Sequence, residues 1–71
     1  MKKINIKTEY ITLGQFLKLA NAVDSGAIAK MVILDGQVLV NDEVETRRGK
    51  KLRDGDKVSF DNVDYIVKHE D

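Results

Sequence analysis

The residues of this sequence with the clearest chemical character form a short basic segment, residues 46–53. It carries five cations and no acidic residue, and the cations are Arg47, Arg48, Lys50, Lys51 and Arg53. Clustered Arg and Lys side chains can neutralise phosphates of a nucleic acid and release its condensed counterions. Arg can also hold one phosphate through two hydrogen bonds, whereas Lys acts as a mobile point charge. The segment predicts a phosphate-binding surface, and the alternative is a solvated turn whose charge maintains solubility.

The remaining polar residues predict neither a catalytic nor a metal site. His69 is the only histidine and lies beside carboxylates near the end of the sequence, where a solvated side chain is expected. Asp54 and Asp56 flank Gly55 in a turn, which explains both acids and provides too few ligands for a calcium loop. The absence of cysteine excludes disulfides and thiolate metal sites. We therefore expect no enzyme, metal or cofactor.

The aromatic residues are few, and two of them have alternative interpretations. Phe16 and Phe60 fit the apolar pattern of a core. Tyr10 and Tyr65 are also expected in structural positions, but either could stack on a nucleic-acid base if it were exposed.

The composition is that of one small globular domain, which we expect to span residues 1–71. Hydrophobic residues make up 42% and charged residues 34%. The 12 basic and 12 acidic side chains cancel, so only the local crowding of cations indicates nucleic acid. No apolar run is long enough for a signal peptide or a membrane span, and we expect a cytoplasmic protein.

The first part of the chain predicts a strand and a helix. Ile4 and Ile6 alternate with polar residues, which is typical of a short strand with one buried face. Thr12 and Gln15 have the spacing of a capping box at the start of a helix. The apolar stripe that follows predicts that this helix runs to about Asn21.

A second helix has recognisable ends. Asp24 or Ser25 can cap its start, and Gly36 can end it with a positive φ. Its core face is predicted to contain Ala29, Val32 and Ile33. The opposite face is also apolar, and its residues are Ala27, Met31 and Leu34. Either the first strand or helix covers that face, or a protein partner does.

Short strands separated by tight turns complete the pattern. Val38 and Val40 point to one side of a strand that ends at Asn41 and Asp42, two residues that tolerate positive φ in a hairpin turn. A turn at residues 54–56 follows the basic segment, and a closing hairpin is predicted around residues 61–62.

This order resembles the S-four RNA-binding domain, in the form of its small stand-alone bacterial members. The residues that carry the resemblance are Leu13, Leu17, Ser25, Ala29, Ile33, Gly36, Val38, Val40, Asn41, Leu52, Gly55, Asp56 and Val58, within residues 12–60. The resemblance implies an α+β fold in which two short antiparallel helices pack on a small, mainly antiparallel β-sheet.

The resemblance also implies a function. A non-catalytic, ribosome-associated module would bind structured RNA, ribosomal or transfer, chiefly through the phosphate backbone and shape. The family usually has arginine after the serine that begins the second helix, and Gly26 stands there in this chain, so more of the contact rests on the basic segment. The implied RNA-binding residues are Lys30, Arg47, Arg48, Lys50, Lys51 and Arg53. The alternative is a protein-interaction adaptor that keeps the fold with a weakened RNA-binding face.

Overall fold

A five-stranded sheet, a two-stranded ribbon and two helices form the computed structural model, which describes residues 1–70. In chain order the elements are β1 (Lys2–Ile6), β2 (Ile11–Thr12), α1 (Leu13–Leu19), α2 (Gly26–Leu34), β3 (Leu39–Val40), β4 (Glu43–Val44), β5 (Lys51–Leu52), β6 (Lys57–Phe60) and β7 (Val63–His69). The larger sheet has the order β1-β7-β6-β3-β4, and β2 pairs with β5. β1 pairs with β7 in parallel, and the other strand pairs are antiparallel. The predicted α+β fold with a mainly antiparallel sheet is therefore confirmed.

The start of α1 differs from the prediction. Thr12 stands at the N-cap with an extended backbone, but its side chain makes no capping hydrogen bond, so the expected capping box is wrong. The N–H of Leu13 instead donates to the carbonyl of Lys50 at 2.9 Å. The N–H of Gly14 donates to the carbonyl of Arg48 at 3.1 Å. Two of the unpaired N–H groups of the first helical turn are therefore satisfied by the backbone of the basic segment.

The end of α1 comes two residues earlier than predicted. Asn21 adopts a φ of 57°, which the helical conformation does not allow. Its own N–H donates to the carbonyl of Lys18 at 3.0 Å, and the N–H of Ala22 donates to the carbonyl of Leu17 at 2.9 Å. These two bonds form a Schellman motif in which asparagine takes the position that glycine usually occupies.

Both ends of α2 follow the prediction. The Ser25 hydroxyl accepts a hydrogen bond from the N–H of Ile28 at 3.2 Å, so Ser25 rather than Asp24 is the cap. Gly36 has a φ of 76°, and its N–H donates to the carbonyl of Ile33 at 3.1 Å. Glycine ends the helix here because the absence of a Cβ makes this conformation inexpensive.

The two predicted hairpin turns are confirmed by their backbone angles. Asn41 and Asp42 have φ values of 51° and 69° between β3 and β4. Asp61 and Asn62 have values of 54° and 63° between β6 and β7. Two central residues with positive φ match the twist of the flanking strands, which fixes the strand register at each turn.

The core lies where α1 and α2 meet the sheet. Its fully or almost fully buried residues are Ile6, Leu13, Phe16, Leu17, Val23, Ala29, Ile33, Val38, Val40, Leu52, Val58, Tyr65 and Val67. The rings of Phe16 and Tyr65 pack edge to face, with centroids 6.2 Å apart. Tyr65 is therefore a core residue, and its alternative role in stacking on a base is excluded by burial.

The outer face of α2 is uncovered. Ala27, Met31 and Leu34 are exposed, Met31 at 68% and Leu34 at 61%, so the expected cover by β1 or α1 is wrong. The reason is that β1 pairs with β7 at the sheet edge, while α1 packs on the inner face of α2. Despite this apolar surface, no helix among residues 1–70 has the length and apolarity needed to cross a membrane.

Truncation of the core should lower the free energy of unfolding. Ile33 is completely buried, and Ile33→Ala should cost about 2–5 kcal/mol through lost burial and a residual cavity. Met31→Ala is the matched control on the same helix, and we expect little change because Met31 is exposed. Urea denaturation of both variants tests the assignment, and equal losses would contradict it.

A second stability prediction concerns the end of α2. Gly36→Ala should destabilise the protein by about 1–2 kcal/mol, because an L-residue with a side chain is strained at positive φ. Gly49→Ala is the control, since Gly49 lacks a positive φ and has no atom within 4 Å of an added Cβ. If thermal unfolding shows the same shift for both variants, the left-handed cap is not the cause.

Candidate nucleic-acid interface

The basic segment is held at fixed points by its own backbone. The N–H of Glu45 donates to the carbonyl of Val38 at 3.0 Å, which attaches the entry of the segment to the sheet. Lys50 closes a turn by donating its N–H to the carbonyl of Arg47 at 3.2 Å. Because the carbonyls of Arg48 and Lys50 also cap α1, this turn has a defined position beside the helix.

Gly14 allows Arg48 to pass close to the first turn of α1. A Cβ added to Gly14 would lie 2.7 Å from the Cγ of Arg48, much closer than two carbon atoms approach without repulsion. Because the carbonyl of Arg48 caps the helix and holds its backbone, Cγ can leave this position only by rotation about the Cα–Cβ bond. A side chain at position 14 would therefore displace the stem of Arg48.

A cleft of about 480 Å³ opens between the start of α1, the start of α2 and the basic segment. We name it the Arg48 cleft, and its lining residues are Thr12, Gly14, Gln15, Lys18, Gly26, Arg48 and Gly49. Two cations, Lys18 and Arg48, line it together with small and polar residues and no carboxylate. Such a concave, positively charged surface is suited to an anionic backbone.

Lys18 is a candidate that the sequence did not reveal. Its Cδ lies 4.0 Å from the position of a Cβ at Gly26, so its stem extends along the start of α2. Gly26 is the position where arginine is usual in the family that the sequence resembles. In the sequence, Gln15 and Lys18 are spaced to lie on the same exposed face of α1. That spacing does not show that they approach Gly26, because the approach depends on how the two helices pack.

Arg47 is engaged by a neighbouring acid. Its Nε donates to Oε2 of Glu45 at 3.0 Å, and its Nη2 donates to Oε1 at 3.1 Å. The N–H of Arg47 donates to the same carboxylate at 3.1 Å. The side-chain hydrogen bonds from Arg47 hold the pKa of Glu45 below its ordinary value of 4.5, and they raise the pKa of Arg47.

Lys51 and Arg53 surround the ring of Tyr10, and we name these three residues the Tyr10 cluster. Both cations are exposed, while Leu52 between them is fully buried, as expected for alternation along an extended chain. The Nζ of Lys51 lies 4.9 Å from the ring centroid of Tyr10, and the Cζ of Arg53 lies 5.4 Å from it. Tyr10 is 39% exposed, so it meets the condition of exposure that the sequence analysis set for contact with a nucleic-acid base.

The six predicted cations therefore lie in different surroundings. Arg48 lines the Arg48 cleft, and Lys51 and Arg53 belong to the Tyr10 cluster. Lys50 and Arg47 line a cavity of about 270 Å³ together with Glu45. Lys30 is exposed on α2, the helix that carries the uncovered apolar face. The RNA contacts assigned to these residues remain a prediction.

The acidic residues of the 54–56 turn have structural roles. Asp56 accepts the N–H of Arg53 at 2.7 Å and the side-chain amide of Asn41 at 3.1 Å. Asp54 accepts the N–H of His69 at 2.8 Å, which ties the turn to β7. These bonds hold the turn that follows the basic segment, in agreement with the prediction that Asp54 and Asp56 serve the turn. Across residues 1–70, no group of three or more His, Cys, Asp or Glu residues could hold a metal ion.

A helix pair lies on a small mixed sheet, and a basic turn caps the first helix. The family model of the S4 domain matches residues 4–68. This chain therefore belongs to the S4 domain family, which confirms the predicted resemblance. The match extends on both sides of residues 12–60, where the motif residues lie.

Similar proteins are known from bacteria. A Bacillus subtilis protein named "Probable ribosome maturation protein RlbA" is 55% identical over 58 residues, which are 82% of each chain. YbcJ of Escherichia coli is 44% identical over 54 residues, which are 76% of this chain and 77% of YbcJ. The solution structure of YbcJ, described as having an αL motif involved in RNA binding, matches with a TM-score of 0.73 at 38% identity. That match covers 96% of this chain and 87% of YbcJ.

The ion pair at Glu45 should titrate in acid. Because the folded-state pKa of Glu45 is lowered, its stabilising contribution is present above the ordinary value of 4.5 and is lost as the pH falls through the lowered pKa. The N–H and Nε–H resonances of Arg47 should move with a midpoint below 4.5 in an NMR titration. In Glu45→Gln these resonances should not show that transition, and a wild-type midpoint at or above 4.5 would contradict the pair.

Proposed function

We propose that residues 1–71 form a single non-catalytic domain that binds structured RNA in the cytoplasm of a bacterium. The observation that carries this proposal is the Arg48 cleft, in which two cations converge beside a backbone-anchored turn. The name of the Bacillus relative refers to ribosome maturation, which favours ribosomal RNA over transfer RNA as the ligand. The αL motif described for YbcJ supports the same class of function.

Recognition would depend on the phosphate backbone and on shape. Arg48 offers a planar guanidinium that can hold one phosphate through two hydrogen bonds, and Lys18 offers a second charge across the cleft. Phosphate contacts position a protein on RNA without reading sequence. Few aromatic side chains are available to stack on bases, and Tyr65 is buried, so the binding should vary little between structured RNAs.

The cations of the basic segment would contribute unequally. Lys51 and Arg53 lie at the surface of the Tyr10 cluster and can meet phosphates directly. Arg47 must exchange its two side-chain hydrogen bonds to Glu45 for bonds to a phosphate, so it should contribute less than Lys51 and Arg53. Lys50 and Lys30 would add longer-range attraction at the margins of the surface.

Lys18 compensates for the glycine at position 26. Its Cδ lies 4.0 Å from the position that a Cβ at Gly26 would take, so Lys18 would supply a positive charge near the place where the family usually has arginine. A lysine lacks the bidentate geometry of arginine. The contact at this point should therefore be weaker and less directional than in members of the family that have the arginine.

The uncovered face of α2 favours a second candidate function, which is contact with a protein. Ala27, Met31 and Leu34 form an apolar surface beside Lys30, and exposed apolar surface commonly marks a binding site. An adaptor that uses this face would not need the cations of the Arg48 cleft. A protein bound near RNA, as on a ribosome, could also use both surfaces together.

A salt titration against one ribosomal RNA fragment tests the proposal. If Lys18 and Arg48 each contact a phosphate, then Lys18→Gln and Arg48→Gln should each lower the slope of log affinity against log salt by about 1. Lys3→Gln is the matched control, because it removes an equal charge from an exposed position on β1 outside the cleft. Circular dichroism checks that folding is unchanged.

The same titration separates the two functions. Absence of binding by the wild-type protein at low salt would favour the adaptor and would reject RNA binding. Equal slopes for wild type, Lys18→Gln and Arg48→Gln would reject the Arg48 cleft as the contact surface. A fall in slope for Lys3→Gln as large as that for the cleft variants would indicate charge without a defined site.

A further inference from the structure

We propose that the Tyr10 cluster is a second phosphate-binding subsite, in which Tyr10 is a positioning residue that holds Lys51 and Arg53 toward the RNA backbone. The ligand class is the phosphodiester of structured RNA, and the inference rests on the proposed function. It assigns a role to Tyr10 that differs from stacking on a base. Positioning of the cations and stacking on a base make different predictions for a double-mutant cycle of Tyr10 with Lys51 and Arg53.

The backbone brings these three residues together. In the β2–β5 ribbon Ile11 pairs with Leu52, and Thr12 pairs with Lys51. Continuing this antiparallel register by one residue places Tyr10 opposite Arg53, with Lys51 on the diagonal. Residues in these positions lie on the same face of a sheet, which explains why both cations reach the ring of Tyr10.

The backbone on both sides of the cluster is restrained. The hydroxyl of Thr8 donates to the carbonyl of Tyr10 at 2.8 Å. The N–H of Arg53 donates to the carboxylate of Asp56 at 2.7 Å, and Leu52 is fully buried. These bonds do not hold the long side chains of Lys51 and Arg53. Contact with the aromatic ring of Tyr10 is what can order them.

The ring also counteracts the repulsion between the two cations. Two neighbouring positive side chains in water tend to separate, whereas the negative face of an aromatic ring attracts both. The ion pairs among residues 1–70 are Arg47 with Glu45 and Lys57 with Asp42. Lys51 and Arg53 are therefore ordered by Tyr10 and keep their charges available for phosphate.

Tyr10, but neither Lys51 nor Arg53, lines a cavity that adjoins the Arg48 cleft. A cavity of about 660 Å³ beside Tyr10 is lined by Gln15 and Lys18, and the same two residues line the Arg48 cleft. One RNA strand that follows this surface would meet Arg48, then Lys18, and then the Tyr10 cluster. Glu9 is a carboxylate at the margin of the cavity and limits how far the positive surface extends.

Tyr10→Leu and Tyr10→Phe test whether the aromatic ring contributes to binding of the ribosomal RNA fragment. Tyr10→Leu keeps both cations but removes the ring, and affinity should fall about two- to five-fold, as expected for exposed cation–π contacts. Tyr10→Phe keeps the ring and should bind as the wild type does. If Tyr10→Leu binds as tightly as wild type while wild type binds RNA, the subsite is rejected and the proposed function stands.

A double-mutant cycle gives the decisive comparison. In a Lys51→Gln, Arg53→Gln background, Tyr10→Leu should have no further effect, because the ring has no cations to position. If Tyr10→Leu weakens binding equally in both backgrounds, Tyr10 contacts RNA itself and the positioning role is rejected. Absence of RNA binding by wild type would reject the proposed function and the subsite together.

The free protein offers an independent measurement that needs no variant. The ring current of Tyr10 should shift the Hε protons of Lys51 upfield of their random-coil position in the NMR spectrum. Unshifted Hε protons in the wild-type protein would show that the ring does not hold Lys51, and would overturn the positioning role even if Tyr10→Leu failed to fold.

Discussion

The hydrogen bonds between the basic segment and the first turn of α1 are the contacts on which the candidate interface depends. The carbonyls of Arg48 and Lys50 accept the N–H groups of Gly14 and Leu13, two donors that no side chain satisfies. The start of a helix requires such acceptors, so helix formation and loop position stabilise each other. A cationic loop that would otherwise repel itself is thereby held against a rigid element, with Arg48 packed over Gly14.

The sheet fixes the other ends of the same segment. Glu45 is attached to Val38 at the entry, and Asp56 receives the N–H of Arg53 at the exit. Asn41 joins these regions, because its amide donates to Asp56 and its oxygen accepts the N–H of Lys57. Residues that the sequence analysis identifies as turn formers, Asn41 and Asp56, therefore hold the backbone at the exit of the basic segment. The side-chain polar atoms of Asn41 and Asp56 form hydrogen bonds within the fold.

The sequence predicts the local part of this structure and not the part that depends on distant contacts. Gly36, Asn41 and Asp61 adopt positive φ because of preferences that act within a few residues. The capping of α1 by a distant loop leaves no periodic signal, so an apparent capping box at Thr12 was misleading. The same reason explains why Lys18 was missed, since its importance arises only when α1 lies beside Gly26.

A protein with no net charge can bind an anionic ligand if its positive and negative side chains lie far enough apart. Three acidic side chains lie on the open face of the sheet, where Asp42, Asp61 and Asp64 line one cavity with Lys57. Exposed charges are largely screened beyond about 8 Å at physiological salt. The domain measures 33 × 21 × 18 Å, so charges on separate faces act almost independently on a ligand. A phosphate at the Arg48 cleft would therefore experience Arg48 and Lys18, and the net charge of zero has little bearing on its affinity.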